Sequence, residues 1–146
     1  MLTNPEDYTK ARNELARICS AFGVEAPPIG SEGRPLSLID EGRLVYDDKA
    51  DKVEYRLASP LDVKAGNSIK SIAFGDPTQK DLEAIHKNIR VVSRSGETEI
   101  DLGDMDIMTG RIICQLGGVN SALVDRLKGR DTKSMQEIFT LLGFFG

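Results

Sequence analysis

The stretch from Tyr55 to Ile89, YRLASPLDVKAGNSIKSIAFGDPTQKDLEAIHKNI, admits few folds because it reads as strand, turn, strand and helix in immediate succession. Just before and within it, Val53, Tyr55 and Leu57 alternate with Glu54 and Arg56, the period-two pattern of a strand with one dry and one wet face. The chain should reverse soon afterwards. Pro60 brings no N–H to a ladder, and the Gly66-Asn67 pair tolerates the positive backbone angles of a hairpin return. In the second run Ile69, Ile72 and Phe74 slip between the two faces, which predicts a bulge or burial on both sides. Gly75 ends it. Asp76 is the expected helix cap, Pro77 presets the first turn, and Gln79 is placed to reach back in a capping-box-like pair. Leu82, Ile85 and Ile89 then form one apolar stripe, with Lys80, Asp81, Glu83 and Lys87 away from it.

The flanking segments attach to this unit. Asn4 to Phe22 reads as a helix: Asn4 caps, Pro5 suits the first turn, and Glu6 and Asp7 complement the helix dipole. Tyr8, Ala11, Leu15, Ile18 and Phe22 mark its apolar face, and Gly23 supplies a left-handed exit. That face packs either within the chain or on another molecule. Glu25 to Pro35 holds Pro27, Pro28, Pro35, Gly30 and Gly33, the composition of a linker. Leu44 to Tyr46 reads as a short strand that turns back through Asp47, Asp48 and Asp51 into Val53, giving a three-stranded antiparallel sheet. The three aspartates lack the alternating ligands, glycine and distal glutamate of a calcium loop, so a solvated turn is expected.

Beyond the hairpin and helix, Val91 and Val92 either finish the helix or begin a strand, with Ser93 to Glu97 a turn. From Asp101 the pattern is helical. Leu102, Met105, Met108, Ile112 and Leu116 share one face, Asp101 or Asp104 caps, and Gly117-Gly118 stops the run. Gly110 weakens its middle by ~1 kcal/mol relative to alanine. Asn120 caps a short helix through Leu123, Val124 and Leu127 that exits at Gly129, and Asp131 caps a last helix with Met135, Ile138, Phe139 and Leu142 on its apolar face. The end, Leu141 to Gly146, is hydrophobic where termini are usually polar, so Phe144 and Phe145 either fold back or meet a partner. The expected architecture is α+β: residues 1–35 as an N-terminal helix on a Pro/Gly linker, and 36–146 as one domain. Within that domain 36–100 form the small antiparallel sheet, a β-hairpin plus an extra strand, with its helix, and 101–146 the helical half.

Composition and motifs remove several functions. With 146 residues, 40% hydrophobic and 29% charged, the chain has the make-up of a soluble globular domain. Its apolar runs are far short of the ~20 residues of a membrane span, and the charges within Met1 to Phe22 are unlike a signal peptide, so residence in the cytoplasm is expected. A net charge of −4 argues against a nucleic-acid partner. The helices joined at Gly129 have the outline of a helix-turn-helix, but Lys133, Gln136 and Glu137 do not make a basic recognition face. His86 is the sole histidine and has no nucleophile motif beside it, and no Walker loop, dinucleotide fingerprint or metal-binding histidine pair is present, so no enzyme and no cofactor is expected. Cys19 and Cys114 lack zinc-site spacing and read as small hydrophobes.

Taken together, Tyr55 to Ile89 with its Pro-Thr helix start, the Leu-Val-Asp-Arg-Leu segment at 123–127, the Asp-opened last helix and its Phe139 resemble the tail assembly chaperones of tailed bacteriophages. The resemblance spans about two-thirds of the chain and rests on apolar positions and helix starts. It implies a non-catalytic phage or prophage protein that coats the long, largely helical tape measure protein and assists tail tube assembly in the bacterial cytoplasm. Contact with the tail tube protein, self-association into a homo-oligomer, and a longer form made by ribosomal frameshifting belong to the same expectation. The alternative is a structural tail or baseplate component retained in the particle. Tyr8, Leu15, Phe144 and Phe145 are the expected partner-binding residues, since they lie on the appendages.

Overall fold

The structure, a computed structural model, describes residues 4–63, 66–87, 91–94, 97–100 and 102–145. It is an α+β fold. Strands β1 (Leu44–Asp47), β2 (Lys52–Asp62) and β3 (Ser68–Gly75) form an antiparallel sheet in the order β1-β2-β3. The register sets Leu44 opposite Tyr55, Tyr55 opposite Ile72, and Val53 opposite Phe74, so these five side chains share the buried face. Glu54 and Arg56 lie on the other face, as the alternation predicts.

Pro60 does not begin the turn. β2 continues through it to Asp62, and the reversal comes at 63–67, where Gly66 has φ 76° and the Val63 amide donates to the Asn67 carbonyl at 2.8 Å. The irregularity expected in the second strand lies in the first. Arg56 pairs with Ser71 but Leu61 with Ile69, so the additional residues bulge out of β2 at 57–60, a place where a proline's missing N–H costs no ladder bond.

Around the sheet stand α1 (Pro5–Ala21), α2 (Arg34–Asp40), α3 (Gln79–His86), α4 (Leu102–Gly117), α5 (Ser121–Val124) and α6 (Gly129–Leu141). α1 starts as read: the Asn4 carboxamide accepts from the Glu6 and Asp7 amides at 2.8 and 3.3 Å. Its face packs within the chain, with Ala11, Leu15 and Cys19 meeting Leu36 of α2 while Ile18 enters the main core. The Pro/Gly segment is pinned. Glu32 is buried within it, and α2, a helix not anticipated from RPLSLID, starts at its end with Pro35 in the first turn.

The cap of α3 is Thr78, two residues later than Asp76. The Thr78 hydroxyl accepts from the Asp81 amide at 3.2 Å and the Asp81 carboxylate accepts from the Thr78 amide at 3.0 Å, a complete capping box. Ile85 of its stripe is fully buried and Leu82 half-buried; Ile89 lies outside the described residues. The ambiguous segment forms a separate hairpin, β4 (Val91–Arg94) with β5 (Glu97–Ile100). Asp101, an expected cap of the next helix, lies outside the described residues. In α4, Met108 and Ile112 are buried as read, together with Ile113.

Gly117 is where α4 touches the sheet. A Cβ there would stand 2.6 Å from Ile72 Cγ2 and 3.2 Å from Phe74 Cε1, both on buried side chains with little room to move. Gly117→Ala is expected to lower stability by about 1–3 kcal/mol through overpacking, read as a drop in the urea midpoint with unchanged slope. An unchanged midpoint would show that α4 shifts freely on the sheet.

The last helix corrects two further readings. Gly129 opens α6 where an exit of the preceding helix was expected, and Asp131 does not cap α6: Lys128 holds the cap position without a side-chain bond. Asp131 lies fully buried in the first turn with its carboxylate turned to the β2 bulge. It accepts from the Tyr55 hydroxyl at 2.6 Å, the Ala58 amide at 2.7 Å and the Ser59 amide at 3.1 Å, with Arg43 at 3.5 Å. The amides freed from the ladder by the bulge are thereby satisfied. Burial, and then the bond to Asp131, pushes the Tyr55 phenol up to about 12.

Candidate partner-binding groove

Of the four residues expected to bind a partner, two present no surface. Leu15 is fully buried beneath α1, and Phe144 is 2% exposed, its ring centroid 5.6 Å from that of Phe139 and 5.8 Å from that of Phe22. Gly143, at φ 76°, makes the turn that folds the aromatic tail back. Phe145 is half-buried against the same core. His86 touches this tail, its Nε2 3.2 Å from the Phe144 carbonyl oxygen.

Tyr8 is half-buried and committed to an internal bond, donating to Glu32 at 2.5 Å. Glu32 also accepts from Arg12 at 3.2 Å and from the Gly30 amide at 2.8 Å, which ties the Pro/Gly segment to α1. Burial raises the Glu32 carboxyl, but the bonds from Tyr8 and the backbone and the charge of Arg12 outweigh it and leave it below the ordinary carboxylate range. The latch therefore holds at neutral pH and is lost as pH falls through that lowered value.

The carboxylates of the aspartate turn are engaged by the turn's own backbone and by neighbouring side chains. Asp47 accepts from the Lys49 and Ala50 amides at 3.0 and 3.3 Å, Asp51 accepts from the Tyr46 hydroxyl at 2.5 Å, and Asp48 pairs with Arg17. Among the described residues no group of three or more His, Cys, Asp or Glu side chains is placed to hold a metal ion. No helix among them is long and apolar enough to cross a membrane.

The surface that can receive something lies elsewhere, between α3, α4, α5 and the start of α6, as a groove of about 540 Å³. Its bottom is formed by Ile85, Gly110 and Ile113, with Ile107 and Val124 along it; Ile107 is 50% exposed. The elements are fixed by bonds that cross the groove's edges. Arg111 donates to the Ile85 carbonyl at 3.1 Å and to that of Lys87, closing the C-terminal end of α3, and Gln115 reaches Asp81 at 2.9 Å. On the other side Gln136 of α6 donates to Asp106 and to the Thr109 hydroxyl, both at 3.1 Å. The walls differ in charge: Lys87 and Arg111 stand on the α3 side, Asp106 and Asp125 on the side of α5 and α6. Cys114 lies in the groove, its thiol raised by burial first and by the charge of Asp125 second.

One sequence signal marks this groove. Ile107 is apolar yet falls off the stripe that runs through Met105, Met108 and Ile112, so it does not point to the core. The assembled site defines the chain as an α+β protein with an open, apolar-floored groove between helices. Comparison with protein-family models, with curated proteins and with solved structures finds no match.

Proposed function

We propose that the chain is a non-catalytic tail assembly chaperone of a phage or prophage, acting in the bacterial cytoplasm by holding apolar helical segments of the tape measure protein until the tail tube polymerises. The half-exposed Ile107 above the apolar floor between α3, α4 and α5 carries this reading, because a groove of that kind suits the apolar stripe of a partner helix. A long helical partner offers that stripe repeatedly, so several copies of the chain act on each partner.

Co-expression with a tape measure protein tests the reading. A soluble complex with several copies of this chain per partner is expected, measured as mass in solution. A lone chain beside an insoluble tape measure protein would instead favour a structural tail or baseplate component.

A further inference from the structure

Gly110 is a glycine that the fold itself does not require. It lies mid-helix, where glycine weakens α4 relative to alanine, and its backbone is not in the left-handed region. A Cβ there would meet only Val124 Cγ1, at 3.7 Å, an ordinary contact, whereas the same atom at Gly117 would collide with the sheet. Gly110 faces the groove, between the half-exposed Ile107 and Cys114. A bare backbone at this point allows another helix to approach more closely than a side chain would permit.

The charges on the walls add direction to that closeness. Lys87 and Arg111 face Asp106 and Asp125 across the floor. We infer that the groove docks a single amphipathic α-helix of another polypeptide, its apolar stripe on Ile107, Gly110 and Val124, acidic side chains toward Lys87 and Arg111, and basic ones toward Asp106 and Asp125. This inference rests on the proposed function and gives the partner segment its chemistry. Turned end for end, the same helix would set like charges opposite each other, so the groove fixes the direction of the bound segment relative to α4.

Three synthetic helices with one common apolar stripe test this, one flanked by Glu on one side and Lys on the other, one by Glu alone and one by Lys alone, each titrated against the full chain at low salt. The mixed helix is expected to bind about tenfold tighter than either uniform one, a difference of about 1.4 kcal/mol. It should also slow the reaction of N-ethylmaleimide with Cys114, which reports the groove because Cys19 is fully buried. Gly110→Leu should abolish binding, and Ile107→Asp, at an exposed position, should do the same with the circular dichroism spectrum unchanged. Equal affinity of the three helices, or binding of the mixed helix by Ile107→Asp at the wild-type level, would overturn the inference. If the tape measure protein co-purifies equally with the wild type and Ile107→Asp, the groove assignment fails and the chaperone reading stands. If the mixed helix binds but no tape measure protein co-purifies, the groove stands and the chaperone reading falls.

Discussion

Asp131→Ala is expected to cost about 3–5 kcal/mol, the range for removing one partner from a buried charged network. The carboxylate is fully buried and accepts from Tyr55, Ala58 and Ser59 beside Arg43. Without it, two backbone amides in the β2 bulge and the Tyr55 hydroxyl lose their acceptor. At about 2–4 °C per kcal/mol for a chain of this size, the melting temperature should fall by on the order of 10 °C. Asp131→Asn should recover only part of the loss, since one carboxylate oxygen becomes an NH₂ facing another donor. Calorimetry on both variants checks the assignment; a shift of a degree or two would mean that the bulge is satisfied by other means.

Phe144→Ala should be comparably damaging, at about 3–5 kcal/mol for a buried aromatic side chain. The ring stacks on Phe139 and tilts against Phe22, and its backbone is tied by the Phe144 amide donating to the Phe139 carbonyl at 3.0 Å. The half-buried Phe145 should tolerate Ser with a smaller loss. Urea unfolding of the two variants distinguishes core from surface: equal and small losses would return Phe144 to the list of partner-binding residues.

The sheet and the long helices were legible because burial there follows a simple period. Val53, Tyr55 and Leu57 alternate, and Met135, Ile138 and Phe139 recur at helical spacing, so the sequence carries the face without knowledge of the partner. Caps were less legible. Asp76 and Thr78 are both good cap residues, and the choice falls to the spacing that lets Asp81 close the box. Asp131 has the sequence signature of a cap, but it is drawn to a bulge more than seventy residues earlier, a contact that local pattern does not contain. α2 escaped because seven residues with a leading proline are too few to show a stripe. The groove needs α3, α4 and α5 together, and Ile107 was its one local trace.

The contact between Phe22 and Phe144 has a consequence for biosynthesis. One ring lies at the end of the first helix and the other follows the last, so the central core lacks a wall until residue 144 has cleared the ribosome. Emerging segments can form the hairpin and individual turns of helix, but the cooperative step must wait until residue 144 is outside the exit tunnel. A ribosome stalled just short of that point should therefore hold a chain that proteases still cut freely, while one extended by a long fused tail should hold it folded.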